Sequence, residues 1–353
     1  MASVIDVSGL TLNAKEPDFE KFVFERIFEQ PVLNTIHRVY TGLTMQEKIV
    51  IAGIFGLTGI ADTSCTRPAS GAGLSTSEKE WLPARIGDTF VHCQADVNAL
   101  FKAYYDKIKS YAELYDIEGS DLYNFIAARI EQAASEAVLR LAWFGDKDVV
   151  EADTAVAGLA DDDHIKFFSP IDGIWKQAFA AETAGTLESV PLQASIIDTF
   201  DAMLGVADSR LRTATDAMFL VSKKVWDRYR KNLRDASLNF TVDYTINGLP
   251  TIKYDGKTVV NMETVWDRYI PLFLDEAGGD VISPDRIMLT VKDNIPVGTL
   301  NEGDFDQLES WYNRDERVNK MAYGFTLDAV LVEEYLAVIA HGVLPDETLA
   351  PSN

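Results

Sequence analysis

The sequence predicts an α+β fold, and three observations carry that prediction. An Ala-rich helical run of roughly 24 residues starts near Ser120, short alternating apolar segments flank it, and two hairpin signals, Asn247-Gly248 and Asp255-Gly256, follow in close order. With 353 residues the chain is long enough to bury a sizeable core and to divide into subdomains. Its 47% hydrophobic and 25% charged residues are those of an ordinary folded protein.

Taken in order, residues 1–16 have no helical or strand period and read as an arm. Asp18 to Gln30 then predicts a short amphipathic helix with Phe22, Ile27 and Phe28 on its apolar side. EKIVIAGIF predicts a strand. Residues 57–80 are Gly/Ser/Thr/Ala-rich without a period and predict a long loop, of the kind that is usually functional or mobile. Apolar character returns at Trp81-Leu82-Pro83, and the alternating ARIGDTFVHC predicts a returning strand. Residues 40–93 thus form a two-stranded excursion; an isolated hairpin is marginal in water, so it should lie against something outside its own domain.

Helix follows over 95–114. The main helix is capped by Ser120 with Asp121 behind it, and carries Ile126, Ile130, Ala133, Ala134, Ala137, Val138 and Leu141 as one apolar stripe. Gly145 ends it. Asp161-Asp162-Asp163-His164 falls in a polar loop. Pro191 to Leu211 predicts a second amphipathic helix through Ile196, Phe200, Met203 and Leu204. DAMFLVS predicts a buried strand, and SKKVWDRYRKNLRD a basic helix capped by Ser222. Residues 239–262 form a meander around the two tight turns, residues 285–292 a strand, and MAYGFTLDAVLVEEYLAVIA a closing segment of strand and helix character. The tail from Pro345 is loose. No internal repeat is present.

Composition excludes several functions. No apolar run reaches the roughly 18 residues needed to span a bilayer, so no membrane partner is expected. The N-terminus MASVIDVSGLTLNAKEPDFE lacks the basic-then-apolar pattern of a secretory signal, which predicts a cytosolic origin. Cys65 and Cys93 are too few for a disulfide framework and read as reduced, partly buried thiols. The 32 basic and 55 acidic residues leave a net charge of −23, which argues against tight phosphate binding. Any self-association must overcome like-charge repulsion through matched local patches.

Candidate chemistry is sparse. Asp161–His164 could offer carboxylates to a hard cation, but consecutive residues rarely converge on one ion. GIFGLTG has the wrong spacing for a dinucleotide fingerprint. His37, His92 and His341 are isolated and read as structural. The basic helix, with Lys223, Lys224, Arg228, Arg230, Lys231 and Arg234, is the one concentrated positive surface; it reads as a solvated face or as a patch meeting acidic residues of a neighbouring copy. Trp143, Trp175, Trp226, Trp266 and Trp311 read as core or interface anchors. The predicted catalytic, cofactor-binding and metal-binding sets are all empty.

The order of elements, with LAWFGD (141–146), SPIDGIWKQ (169–177), AMFLVSKKVWDRY (217–229), GLPTIKYDG (248–256), IMLTVKDNIPVGT (287–299) and YGFTLDAVLVEEYLAVIA (323–340), resembles the major capsid proteins of tailed bacteriophages, with the Hong Kong 97-type shell fold. The resemblance implies a structural protein, not an enzyme, needing no cofactor. Its copies would assemble as hexamers and pentamers into an icosahedral virion head around double-stranded DNA, inside the host bacterial cytoplasm. It implies an N-terminal arm and short helix over 1–39, an extended loop over 40–93, a peripheral domain with a spine helix over 94–189, an axial domain over 190–320, and a return to the peripheral domain with a tail over 321–353. Implied partners are portal, scaffolding and decoration proteins, with the packaged DNA touched only by non-specific proximity. No coiled-coil precursor precedes the arm, so a separate scaffolding protein, or none, is expected; no Lys–Asn cross-link pair is assigned. Two other readings stay open at this point. One is an encapsulin-like nanocompartment shell; the other is an acidic cytosolic metal-dependent enzyme using Asp161–His164.

Overall fold

The computed structural model describes residues 31–43, 48–55, 74–93, 121–148, 166–236, 242–246, 249–270, 283–300, 307–313 and 318–345. The expected helices at 18–30 and 95–114, and the Asp161–His164 loop, lie outside these residues. Helix and sheet are mixed throughout, as expected for an α+β chain. A short helix α1 (Pro31–Ile36) leads into strand β1 (Val39–Leu43), then β2 (Lys48–Phe55), β3 (Leu74–Glu80) and β4 (Ala84–Cys93).

The excursion differs from its expected form. The returning strand of the two-stranded ribbon is β3, in register from Lys48↔Glu80 to Ala52↔Thr76 and shifted by one residue before Phe55↔Leu74, whereas β4 leaves to pair with a distant strand. The last seven residues of the expected 57–80 loop, LSTSEKE, are therefore strand. They are held in a ladder with β2. Lys48 Nζ lies 2.7 Å from Glu78 and 3.4 Å from Glu80 on the facing strand. These exposed pairs contribute little stability, but opposite charges across a ladder help to set its register.

The main helix α2 (Asp121–Phe144) forms as predicted. Ile130, Ala134, Ala137, Val138 and Leu141 are buried; Ala133, which falls just beyond the edge of the stripe, is exposed. Helix α3 (Ile174–Ala184) packs on it through Ile174, Trp175, Ala178 and Ala181. After β5 (Glu188–Ser189), the expected 191–211 helix is two helices, α4 (Ile196–Val206) and α5 (Ser209–Thr213). Ala207 leaves helical geometry, and the Asp208 carboxylate accepts the Arg210 N–H at 2.8 Å, restarting the helix with its own cap.

Strand β6 (Met218–Val221), helix α6 (Lys223–Asp235), and strands β7 (Asp243–Ile246), β8 (Leu249–Tyr254) and β9 (Lys257–Asn261) follow. The β8–β9 turn has Asp255 at φ 44° and Gly256 at φ 76°, the two positive angles that Asp-Gly favours. Ser222 precedes α6, but its side chain does not cap the helix: its Oγ accepts the Arg286 N–H, while Asp267 Oδ2 accepts the Lys223 N–H at 3.0 Å. The rest is β10 (Asp285–Thr290), β11 (Val297–Leu300), β12 (Gln307–Asn313), β13 (Val318–Ala329) and β14 (Ala337–Gly342). The closing segment thus holds two strands joined by a 3-10 turn at Glu334–Leu336, without the expected α-helical part.

Among the described residues, three sheets result. β2 and β3 form a ribbon of their own; β1, β11, β13 and β12 form a second sheet, with β4 also pairing β13; and the third runs β5-β14-β10-β6-β9-β8-β7. In the seven-stranded sheet, alternation sends successive residues to opposite cores. Met218, Leu220, Val260, Met288 and Ile339 face the cluster built on α2 and α3. Phe219, Val221, Val259, Ile287, Leu289 and Val338 face α4 and α6. The closing segment divides between sheets: β13 belongs to the second and β14 to the seven-stranded one.

Gly205, near the end of α4, offers a stability test. A Cβ there would meet nothing within 4 Å. Gly205→Ala is predicted to raise stability by about 0.5–1 kcal/mol, read as a higher urea midpoint, because the unfolded chain loses freedom at no steric cost.

Candidate assembly surfaces

The base of the ribbon is its best-defined contact. Trp81, only 2% exposed, directly follows β3 and packs with Leu43, Leu300 and Val330 in a small separate core. Gly298 makes room for it: a Cβ there would sit 2.4 Å from Leu43 Cδ1 and 2.8 Å from Trp81 Cζ3. The Leu82 N–H donates to Asp328 Oδ2 at 2.7 Å, and Asp328 also accepts from the Ala329 N–H; burial pushes this carboxyl above its usual range despite both bonds. Lys79 Nζ donates to the Leu331 carbonyl at 2.6 Å and lies 3.2 Å from Glu334.

The stretch 328–334 that receives the ribbon is itself held from two other sides. The Gln177 side-chain amide of α3 donates to the Ala329 carbonyl at 2.6 Å and accepts the Leu331 N–H at 2.8 Å. Asn294 donates to the Glu333 carbonyl at 2.9 Å and accepts the Glu333 N–H at 2.7 Å.

The helix α2 ends in a junction of backbone contacts. The Gly145 N–H donates to Leu141, the Asp146 N–H to the Phe168 carbonyl and the Gly173 N–H to the Gly145 carbonyl. Lys176 Nζ stands 3.2 Å from the largely buried Asp146 carboxylate. Gly145 has no positive φ; it is needed because a Cβ would fall 2.4 Å from the Ile171 carbonyl oxygen. Beneath the junction, Trp266 meets Trp143 and Trp175 edge to face, its ring standing 4.9 Å from Trp143 and 5.2 Å from Trp175. Trp226 belongs to the second core, and Trp311 on β12 is 41% exposed.

Two of the isolated histidines, His37 and His341, have partners. His37 is fully buried, with Nδ1 2.8 Å from the Ile295 carbonyl oxygen, so that nitrogen carries the proton and the ring is neutral. Burial lowers its pKa from 6.5 to about 4. Below pH 6.5 the unfolded chain therefore takes up a proton that the folded one refuses. Stability is predicted to fall as pH drops from 6.5 to 4, by about 3 kcal/mol from this group. His37→Gln should flatten that part of the pH–stability curve in urea titrations, whatever its cost at neutral pH.

His341 lies 2.8 Å from Ser283 Oγ through Nδ1 and 2.9 Å from Glu182 through Nε2. Nothing in the local sequence announced this trio, whose members lie far apart in the chain. It has the residue types of a hydrolase relay, but Ser283 is 3% exposed and no substrate carbonyl can reach it. Its effect is to tie β14 to α3. Among the described residues no group of three or more His, Cys, Asp or Glu side chains could hold a metal ion. An open depression of about 470 Å³ lies over the β4–β13 pair where Gly87 faces Gly324; it is floored by strand backbone and has Arg85 and Asp88 at its rim.

No protein-family model matches the chain, and no curated protein matches it by sequence. Solved structures do match. The chain is similar to a chain of the satellite phage P4 procapsid including the size determination (Sid) protein, at 11% identity and TM-score 0.52, over 91% of this chain and 98% of that one. It is similar to the capsid of an empty GTA particle at 12% identity and TM-score 0.52, over 88% and 89% of the two chains. The head of Helicobacter pylori bacteriophage KHP40 matches at 9% identity and TM-score 0.51, over 90% and 91%. At such identities the likeness is one of fold, and it runs through nearly the whole length of both chains. The subunit has the α+β fold of phage capsid and head shells.

Proposed function

We propose that this chain is the major capsid protein of a tailed bacteriophage, a non-enzymatic subunit that assembles into hexamers and pentamers and closes an icosahedral head around double-stranded DNA. The observation that carries this reading is the fold's coverage: ribbon, long helix and seven-stranded unit occur in one chain, in the architecture of known shells. Residues 1–39 are assigned as arm and short helix, 40–93 as the extended loop that lies across a neighbouring subunit, 94–189 as the peripheral domain and 190–320 as the axial domain. Residues 321–336 return to the peripheral domain; β14, which pairs β10, is assigned to the axial sheet.

Portal and scaffolding proteins, with decoration proteins added later, are the partners of such a subunit. DNA is enclosed rather than gripped, in keeping with the net charge of −23. Assembly takes place in the host bacterial cytoplasm and the product resides in the virion. No helix among the described residues is long and apolar enough to cross a membrane.

Negative-stain microscopy of the purified protein tests the proposal. Closed shells or ring-shaped capsomers are expected. A monomer at all concentrations would overturn it, and small shells filled with enzyme instead of DNA would favour a nanocompartment.

A further inference from the structure

Helix α6 carries six basic and two acidic residues in a chain whose balance is strongly acidic. Its first cations are engaged inside the subunit. Lys223 Nζ lies 2.5 Å from Glu263 Oε1, and Lys224 Nζ lies 3.0 Å from the buried Asp285 carboxylate. Arg228 donates to the carbonyls of Ala194 and Pro345, each at 3.2 Å. The apolar side, with Val225, Trp226, Tyr229 and Leu233, covers the seven-stranded sheet.

Arg230 and Arg234 differ from these. They stand four residues apart, stacked on one side of the helix, with the exposed Lys231 beside them. Arg230 Nε is buried and has no hydrogen-bond partner. Neither guanidinium forms an ion pair among the described residues; Asp227, one turn before Arg230, does not reach it. A desolvated N–H without an acceptor costs free energy. A chain with 55 acidic residues would have little difficulty placing a carboxylate there from within. The other guanidinium N–H groups of half-buried Arg230 and those of exposed Arg234 likewise have no acceptor among the described residues, and a planar guanidinium is suited to taking a carboxylate.

We propose that the Arg230–Arg234 face of α6 docks onto a carboxylate-bearing surface of a second copy of this chain. The inference rests on the shell reading and adds to it the contact that orients neighbours. Charge complementarity names the occupant. Each copy carries a net charge of −23 while this half-helix is locally positive, so a neighbour supplies the missing acceptors and a matched patch offsets the general repulsion. Nucleic-acid phosphate shares the anion chemistry. However, two arginines on a strongly acidic body fall short of the several phosphate contacts that such binding needs.

The test uses the full chain with Arg230→Glu/Arg234→Glu and, as a gentler pair, Arg230→Gln/Arg234→Gln. Circular dichroism and melting should match wild type for the Gln pair. The fraction of subunits sedimenting as shells or rings should fall at least about tenfold for the Glu pair and less for the Gln pair. Carbodiimide treatment of wild-type assemblies should join Lys231 to an Asp or Glu of another copy. Assembly of the folded Gln pair at the wild-type level, with no such cross-link, would overturn the inference while leaving the shell reading intact. Normal assembly with less retained DNA would also overturn it, assigning the patch to phosphate. Failure of the wild-type chain to assemble would instead sink the shell reading itself.

Discussion

Gly173→Ala is expected to destabilise the subunit by ~3 kcal/mol or more, a large share of the roughly 5–15 kcal/mol that holds a typical domain together. The new methyl would lie 2.6 Å from Gly145 N, 2.7 Å from the Trp143 carbonyl carbon and 2.8 Å from the Leu141 carbonyl oxygen. All three are backbone atoms, so no side-chain rotation relieves the contact. Parting the chains would stretch the Gly173–Gly145 hydrogen bond and disturb the Trp143–Trp175–Trp266 packing below it. Denaturant unfolding gives the readout. An unchanged midpoint would mean that the end of α2 and the start of α3 are free to separate, contrary to the packing described.

Replacing residues 58–71 by a two-residue Asn-Gly turn is expected to abolish shell formation while leaving the subunit folded. β2 and β3 pair with each other and with no other described strand, so the body loses no ladder. The anchoring contacts, Trp81, Leu82 and Lys79, all lie outside the deleted stretch. Closing a shorter loop changes folding free energy by only about 1 kcal/mol. Sedimentation and microscopy of the shortened chain are the measurements, with its melting curve as control. Shells of normal size and yield would remove the reason for assigning 40–93 to a contact between subunits.

Much of the fold was legible in the sequence wherever a local period or turn chemistry set the structure. The stripe of α2, the buried run of β6, the amphipathic pattern of α6 and the Asp255-Gly256 turn all appear where expected. The pairing of distant strands was not legible, nor were strands that lack an apolar pattern of their own. LSTSEKE has no apolar face to betray it, and β11 and β12 are short and mixed in composition. β13 draws its partners from residues 84–93 and 307–313, which no window of neighbouring residues can reveal. The same holds for the candidate surfaces. That α6 is basic could be read directly; that Arg230 lacks an internal acceptor could not, because it depends on where every carboxylate of the fold comes to rest. Asp328, Gln177 and Asn294 look unremarkable in sequence and act only because three separate segments converge on 328–334.

That convergence has a mechanical consequence. A tug on the ribbon enters the body through Lys79 and Leu82, reaches the backbone at 328–331, and passes through Gln177 into the helix beside α2. Each step is a hydrogen bond to main chain or a short buried side chain, with no slack linker between. Segment 328–334 is therefore a load path: strain placed on the ribbon arrives at the longest helix among the described residues, and a change in that helix returns by the same route to the ribbon.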